Sequence, residues 1–112
     1  MPVVEAFTLQ NGSSAGVGTP FQASSARTLT FEITGTSTSR TINFELAGPS
    51  GVWQPVTAFN VNDPTKFGPS TTGGNNTAPE SWTVDVPYGY KFRANLAAVA
   101  GGTVVIKGWA GV

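Results

Sequence analysis

The feature that most constrains this chain is the spacing of its apolar residues, which fall on alternate positions in several segments. The pattern is clear at residues 28–34 (TLTFEIT), 41–47 (TINFELA) and 81–86 (SWTVDV). A strand with one buried face needs this period of two, because successive side chains point to opposite faces of a sheet. No segment sustains a helical period, and 14 Gly and 8 Pro supply frequent turns. The sequence therefore predicts an all-β fold with no significant helix: a single antiparallel β-sandwich, or a closely related barrel, of seven to eight short strands.

The first two alternating segments are predicted to form a hairpin. When Thr34 lies opposite Thr41, one face of the hairpin carries Leu29, Phe31, Ile33, Ile42, Phe44 and Leu46. Glu32 and Glu45 then share the other face, and a one-residue slip would bury both carboxylates. The register is therefore well specified, with residues 35–40 as a polar surface loop.

A second hairpin is predicted between residues 91–99 and 103–109, because a three-residue loop containing Gly is a favoured connection. Its facing pairs are Leu96 with Ile106, Ala98 with Val104, Asn95 with Lys107, and Arg93 with Trp109. The first two pairs lie on the core face and the last two on the outer face. In the segment 81–86, the side chains predicted to point inward are Trp82, Val84 and Val86.

Two further segments are predicted to lie at the periphery, and a third is predicted to be an interrupted strand. Residues 1–9 are an N-terminal arm or an edge strand. Residues 17–22 contain Pro20, which suits an edge or a loop better than a central strand. Residues 52–61 form a strand that Pro55 interrupts.

A long loop is predicted at residues 62–80, within a single domain that spans residues 1–112. Two interpretations of this loop stay open. It is a disordered insertion, or it is an arm that becomes ordered on a neighbouring subunit or partner.

The composition excludes several kinds of chemistry. The chain has no Cys and no His, so disulfides, thiolate metal sites and His-based acid–base catalysis are excluded. Six basic and six acidic residues balance, which argues against nucleic acid as a partner. No secretory signal and no membrane-spanning run is visible, so we expect synthesis and use without Sec export and without a membrane partner. Only 11% of the residues are charged, which favours a place inside an assembly.

The remaining routes to catalysis or metal binding are weak. A Ser–Lys pair would need Lys66, Lys91 or Lys107, and no motif marks such a pair. Glu32 and Glu45 share a face in the predicted hairpin, but they alternate with Thr and Asn as solvent-facing strand residues do. The oxygen-rich residues 60–63 are interpreted as a turn before Pro64. We therefore predict no enzymatic activity, no cofactor and no metal.

Aromatic side chains are the remaining candidates for function, because exposed Trp and Tyr anchor many interfaces. Trp82 is assigned to the core, and Tyr88 and Tyr90 to a turn. The candidate partner contacts, chosen for exposure and aromatic character, are Val3, Val4, Phe7, Trp53, Phe67, Arg93 and Trp109.

Two stretches carry a resemblance to a known class of proteins. The first runs from Gly18-Thr19-Pro20-Phe21 through residues 25–35 to the strand at 42–45, and the second runs from Trp82 to Val86 and from Tyr90 to Gly108. Together they resemble the small β-sandwich structural proteins, head decoration or auxiliary proteins, of tailed bacteriophages. The loop at 62–80 is longer than that pattern implies.

The resemblance implies a non-enzymatic virion protein, in the first place a capsid decoration (cement) protein that binds the outer surface of a phage head and stabilises it. It implies the major capsid protein or another virion protein as partner. It also implies a homo-oligomer, which we expect to be a trimer, and a virion-surface location after synthesis in the host bacterial cytoplasm. The alternative is a carbohydrate- or receptor-binding module of a phage head fibre or tail.

Overall fold

The computed structural model describes residues 5–22, 27–63, 65–71 and 78–111, which form ten β-strands and no helix. In chain order the strands are β1 (Glu5–Gly12), β2 (Phe21–Gln22), β3 (Arg27–Gly35), β4 (Ser39–Ala47), β5 (Trp53–Pro55), β6 (Ala58–Asn60), β7 (Phe67–Gly68), β8 (Glu80–Val86), β9 (Lys91–Ala100) and β10 (Val104–Gly111). Within those residue ranges no helix is long and apolar enough to cross a membrane.

The strands form two antiparallel sheets. One has six strands in the order β1-β10-β3-β8-β6-β7, and the other has four in the order β2-β9-β4-β5. The prediction of an all-β sandwich is therefore confirmed. The strand number is higher than predicted because two very short strands, β2 and β7, complete the edges of the sheets.

The core lies between the two sheets and has an aromatic centre. Phe31 from the six-stranded sheet is 5.7 Å from Phe44 and 5.6 Å from Phe92, both from the four-stranded sheet. Phe44 is also 5.1 Å from Trp82, measured between ring centroids. The inward direction predicted for three residues of β8 is confirmed, since Trp82, Val84 and Val86 are all buried. Each inward face is thus filled by the alternate residues that the period of two identifies.

Both predicted hairpins are wrong, because the strands of each pair belong to different sheets. The strand β3 pairs with β10 and β8, whereas β4 pairs with β9 and β5. The connections therefore cross between the sheets, and the two crossing loops are joined by hydrogen bonds. The backbone N–H groups of Thr36 and Ser37 both donate to the Thr103 carbonyl, at 3.0 and 3.1 Å. The apolar residues of β3 and β4 consequently face one another across the core.

The segment predicted as one strand at residues 52–61 also crosses the sandwich. It forms β5 in the four-stranded sheet and β6 in the six-stranded sheet. The predicted loop 35–40 is shorter than expected, because Ser39 and Arg40 begin β4 and the Arg40 side chain is buried.

The described part of the predicted loop 62–80 lies on the sandwich. After β7, the Pro69 carbonyl accepts a hydrogen bond from the Phe44 N–H at 2.7 Å. The Thr71 N–H donates to the Ile42 carbonyl at 2.9 Å. This segment therefore runs from the edge of the six-stranded sheet to β4, and it satisfies backbone groups that an edge would leave open.

The N-terminal segment supplies an edge strand, β1, paired with β10. The register shifts between Thr8 and Gln10, and Leu9 and Gln10 are both buried. Gln10 Nε2 donates to the Ala94 carbonyl of β9 at 2.8 Å and to the Gly16 carbonyl at 2.7 Å. This bulge thus lets one polar side chain tie the two sheets together.

Candidate functional site

The structure separates the seven predicted contact residues into different surfaces. Val3 and Val4 lie outside the described residues. Phe7 is half-buried and stacks on Phe21, with ring centroids 5.2 Å apart and planes inclined by 9°. Its ring packs against the core. Phe7 therefore contributes mainly to the closure of the sandwich.

Trp53 and Arg93 come together on the outer face of the four-stranded sheet. The Arg93 guanidinium carbon lies 4.1 Å from the centroid of the Trp53 ring, a cation–π contact. Arg93 Nε donates to Glu45 Oε1 at 2.6 Å, and Asn95 Nδ2 lies 3.5 Å from the same oxygen. One face of the Trp53 indole is therefore covered by a side chain of the same molecule.

The other two predicted contacts, Phe67 and Trp109, lie on the outer face of the six-stranded sheet. A single cross-strand row runs over five neighbouring pairs there: Ala6, Trp109, Thr30, Thr83, Phe59 and Phe67. The row has an aromatic residue near one end and two aromatic residues at the other. About 14 Å separates its Trp from the nearer Phe, since three strand spacings lie between them.

At the β6–β7 end of this row lies the aromatic edge patch, which we define as Phe59, Val61 and Phe67. Their exposed fractions are 48%, 51% and 62%, and the two Phe rings stack at 5.6 Å. Sequence reasoning selected Phe67 and missed Phe59. The alternation of Ala58 and Phe59 carried the signal, since Ala58 is buried and its neighbour points outward.

At the other end of the row, a concavity with a volume of about 650 Å³ surrounds Trp109, and we name it the Trp109 groove. Trp109 exposes 60% of its surface. A second cross-strand row next to it consists of Thr8, Lys107, Glu32 and Ser81. The groove is thus built on the four adjacent strands β1, β10, β3 and β8.

Glu32 and Glu45 do not form a paired site. Glu32 and Glu45 lie on the outer faces of different sheets, so the predicted proximity of these two carboxylates is wrong. No group of three potential metal ligands occurs among the described residues. These carboxylates therefore lack the shared cleft that hydrolysis by a carboxylate pair requires.

The oxygen-rich segment at residues 60–63 forms a turn, as predicted. Asn60 Oδ1 accepts hydrogen bonds from the N–H groups of Asn62 and Asp63 at 2.9 and 3.0 Å. Asp63 Oδ1 accepts bonds from the hydroxyl and the N–H of Thr65, which lowers the pKa of Asp63 below its ordinary value. The oxygens of this segment are thus used in local turn bonds.

Comparison with known proteins identifies the wider family. The family model XepA matches residues 4–110. The crystal structure of the SPBc2 prophage-derived protein YomS superposes with a TM-score of 0.87 at 30% identity, covering 100% of this chain and 96% of that chain. The crystal structure of the PBSX exported protein XepA gives 0.87 at 25% identity over 99% of this chain. No curated protein matches.

These relatives confirm the resemblance to small β-rich phage proteins. The chain spans nearly the whole of YomS but only 38% of the XepA chain. The family model covers almost the entire sequence, from just before β1 to the penultimate residue of β10. This chain is a member of the XepA family.

Proposed function

We propose that this chain is a non-enzymatic phage structural protein that works by surface contact, and that its role is to decorate the outer surface of a phage head. The aromatic edge patch carries the proposal. Phe59 and Phe67 stack on each other at the open end of a sheet and remain about half exposed. Stacked exposed aromatics that fill no pocket of their own chain are typical of protein–protein anchors.

The proposed partner is the major capsid protein or another virion protein, and the proposed location is the virion surface. The patch is small, so a single copy would bind weakly. Copies that associate with one another, as a trimer or another homo-oligomer, and that repeat over a capsid lattice would gain avidity. Low charge suits this role, because few charged groups must be desolvated in the contact.

The test is co-sedimentation with capsid shells of the phage that encodes the protein: mature shells, unexpanded shells and undecorated shells. We expect saturable pelleting with expanded shells. The double variant Phe59→Ser/Phe67→Ser should bind roughly tenfold more weakly. Tyr88→Ser is the matched control, because Tyr88 is 72% exposed in the turn between β8 and β9. Failure of the unmodified protein to pellet with any shell would overturn the decoration role.

A second function, one performed outside the cell after export, is favoured by one finding. The similar XepA structure is that of an exported protein. The two functions predict different partitioning when a culture that produces the phage is lysed. A decoration protein bands with the particles in a density gradient, whereas a protein that acts after export without binding the particle remains free in the medium.

A further inference from the structure

We propose that the Trp109 groove is an oligosaccharide-binding site. This inference goes beyond the proposed function, because the particle contact is assigned to the aromatic edge patch at the opposite end of the row. Trp109 and Phe59 lie about 14 Å apart, which is three strand spacings. Either site can therefore be changed without altering the side chains of the other.

The indole ring of Trp109 is accessible to a ligand. Trp109 has Ala6 of β1 on one side and Thr30 of β3 on the other. Both neighbours are small, and the ring remains 60% exposed. The apolar face of a sugar ring can stack on an indole face only if no side chain already covers it. Trp53 shows the contrasting case, since the Arg93 guanidinium lies 4.1 Å from its ring centroid.

A row of polar side chains lies beside that ring. Lys107 lies between Thr8 and Glu32, and Ser81 follows Glu32 across the next strand pair. An ammonium group provides only donors, a carboxylate only acceptors, and a hydroxyl both. Together they match the mixed donor and acceptor character of sugar hydroxyl groups. One positive and one negative charge balance, so the groove favours a neutral sugar over a polyanion.

The size of the Trp109 groove and its strand framework also suit a small ligand. A volume of about 650 Å³ lies within the range of about 300–1,000 Å³ that is usual for small-ligand sites. All of the lining residues lie on four strands of one sheet, β1, β10, β3 and β8, and none lies in a loop. Because the backbone of paired strands is already ordered, binding does not require a loop to become ordered, which favours a preformed site.

The test is a titration of the intact protein with the β-linked tetramer of N-acetylglucosamine, followed by two-dimensional ¹H–¹⁵N NMR. The chain has three Trp residues, so three indole N–H signals report separately. We expect the Trp109 signal to shift in a saturable manner at millimolar sugar or below. The signals of Trp82, which is buried, and of Trp53, which is stacked under Arg93, should move much less.

Variants then assign the binding to the groove. Trp109→Ala should weaken the affinity roughly tenfold or more, and Glu32→Gln should weaken it several-fold. Tyr88→Ala is the control and should bind as the unmodified protein does, since Tyr88 is exposed in a turn outside the groove. A dispersed spectrum without ligand shows that each variant is folded.

The outcomes separate this inference from the particle contact. The absence of a Trp109 shift in the unmodified protein would overturn the sugar site, and that result does not depend on the folding of any variant. Equal affinity of Trp109→Ala and the unmodified protein would also overturn it. Capsid binding that depends on Phe59 and Phe67 would be untouched by either result, because that measurement contains no sugar.

Discussion

At the scale of single residues, Arg40 is a charged side chain buried inside the sandwich. It is 2% exposed, and its Nη2 donates to Glu80 Oε2 at 3.0 Å and to the Ala78 carbonyl at 2.6 Å. Its Nε and Nη1 have no hydrogen-bond partner in the described part of the chain. The pair joins β4 of one sheet to β8 of the other, so a charge interaction is buried between the layers.

Removal of one member of this pair should be costly. We expect Arg40→Met to lower the free energy of unfolding by about 3–5 kcal/mol, because Glu80 then keeps a poorly solvated charge without its partner. The double variant Arg40→Met/Glu80→Met should recover most of that loss. Urea denaturation of the three proteins measures both quantities. If the single variant proves as stable as the unmodified protein, the ion pair does not contribute to stability.

Inward positions could be predicted where the strands are regular, but buried charge could not. Ala98, predicted to lie on the core face, is exposed, because the register between β4 and β9 shifts beside it. The period of two identified Phe31, Phe44 and Trp82 as core residues, because an apolar side chain at an alternating position has one favourable direction. Arg40 occupies an alternating position too, and its charge assigned it to a surface loop instead. Glu80 on the facing sheet and the Ala78 carbonyl make its burial tolerable, and both are far away in the sequence.

At the scale of elements, the approach of β10 to β3 depends on Gly108. A Cβ atom there would lie 2.7 Å from Phe31 Cα and press on the Thr30 carbonyl oxygen. We expect Gly108→Ala to destabilise the protein by about 1–3 kcal/mol, as overpacking does elsewhere. Gly111→Ala in the same strand is the matched control, because nothing lies within 4 Å of its Cβ position. Thermal unfolding compares the two, and equal melting temperatures would refute the steric argument.

Strand pairing is the level at which the sequence was least informative. Alternation tells which side chains point inward, yet β3 has the same inward face whether its neighbour is β4 or β10.

Cysteine pairs test the observed pairing, since the chain contains no Cys. Thr34 and Val105 are cross-strand partners, so Thr34→Cys/Val105→Cys should form a disulfide on mild oxidation. Thr34→Cys/Thr41→Cys, the hairpin register, should stay reduced. Mass spectrometry after thiol alkylation distinguishes the two results.

At the scale of the whole molecule, the topology sorts exposed residues into separate surfaces. The sequence indicated that Trp109 and Phe67 are exposed, and the structure confirms it. It could not group them, because the row that joins them crosses five strands that are distant along the chain. Phe59 was missed for the same reason: its partner Phe67 lies in a segment predicted to be a loop. Which residues share a surface that spans many strands is therefore decided by the pairing of the strands.

The same topology joins the two ends of the chain. Residues 5–8 of β1 pair with residues 107–110 of β10, and Phe7 stacks on Phe21 of the other sheet. We therefore expect deletion of residues 2–8 to lower the melting temperature by about 8 °C or more, because it strips β10 of a partner and uncovers core surface. Differential scanning calorimetry measures the change.

The melting temperature and the particle binding of the truncated chain must be compared before the N-terminal segment is assigned a role. If residues 1–9 were only an arm that lies along a partner, the deleted protein would melt at the same temperature and lose particle binding alone. If β1 is part of the fold, both properties fall together, and loss of binding by the truncated chain would say nothing about direct contact. The substitutions Phe59→Ser and Phe67→Ser avoid this ambiguity, because both side chains are about half exposed and lie on the edge of the sheet farthest from β1.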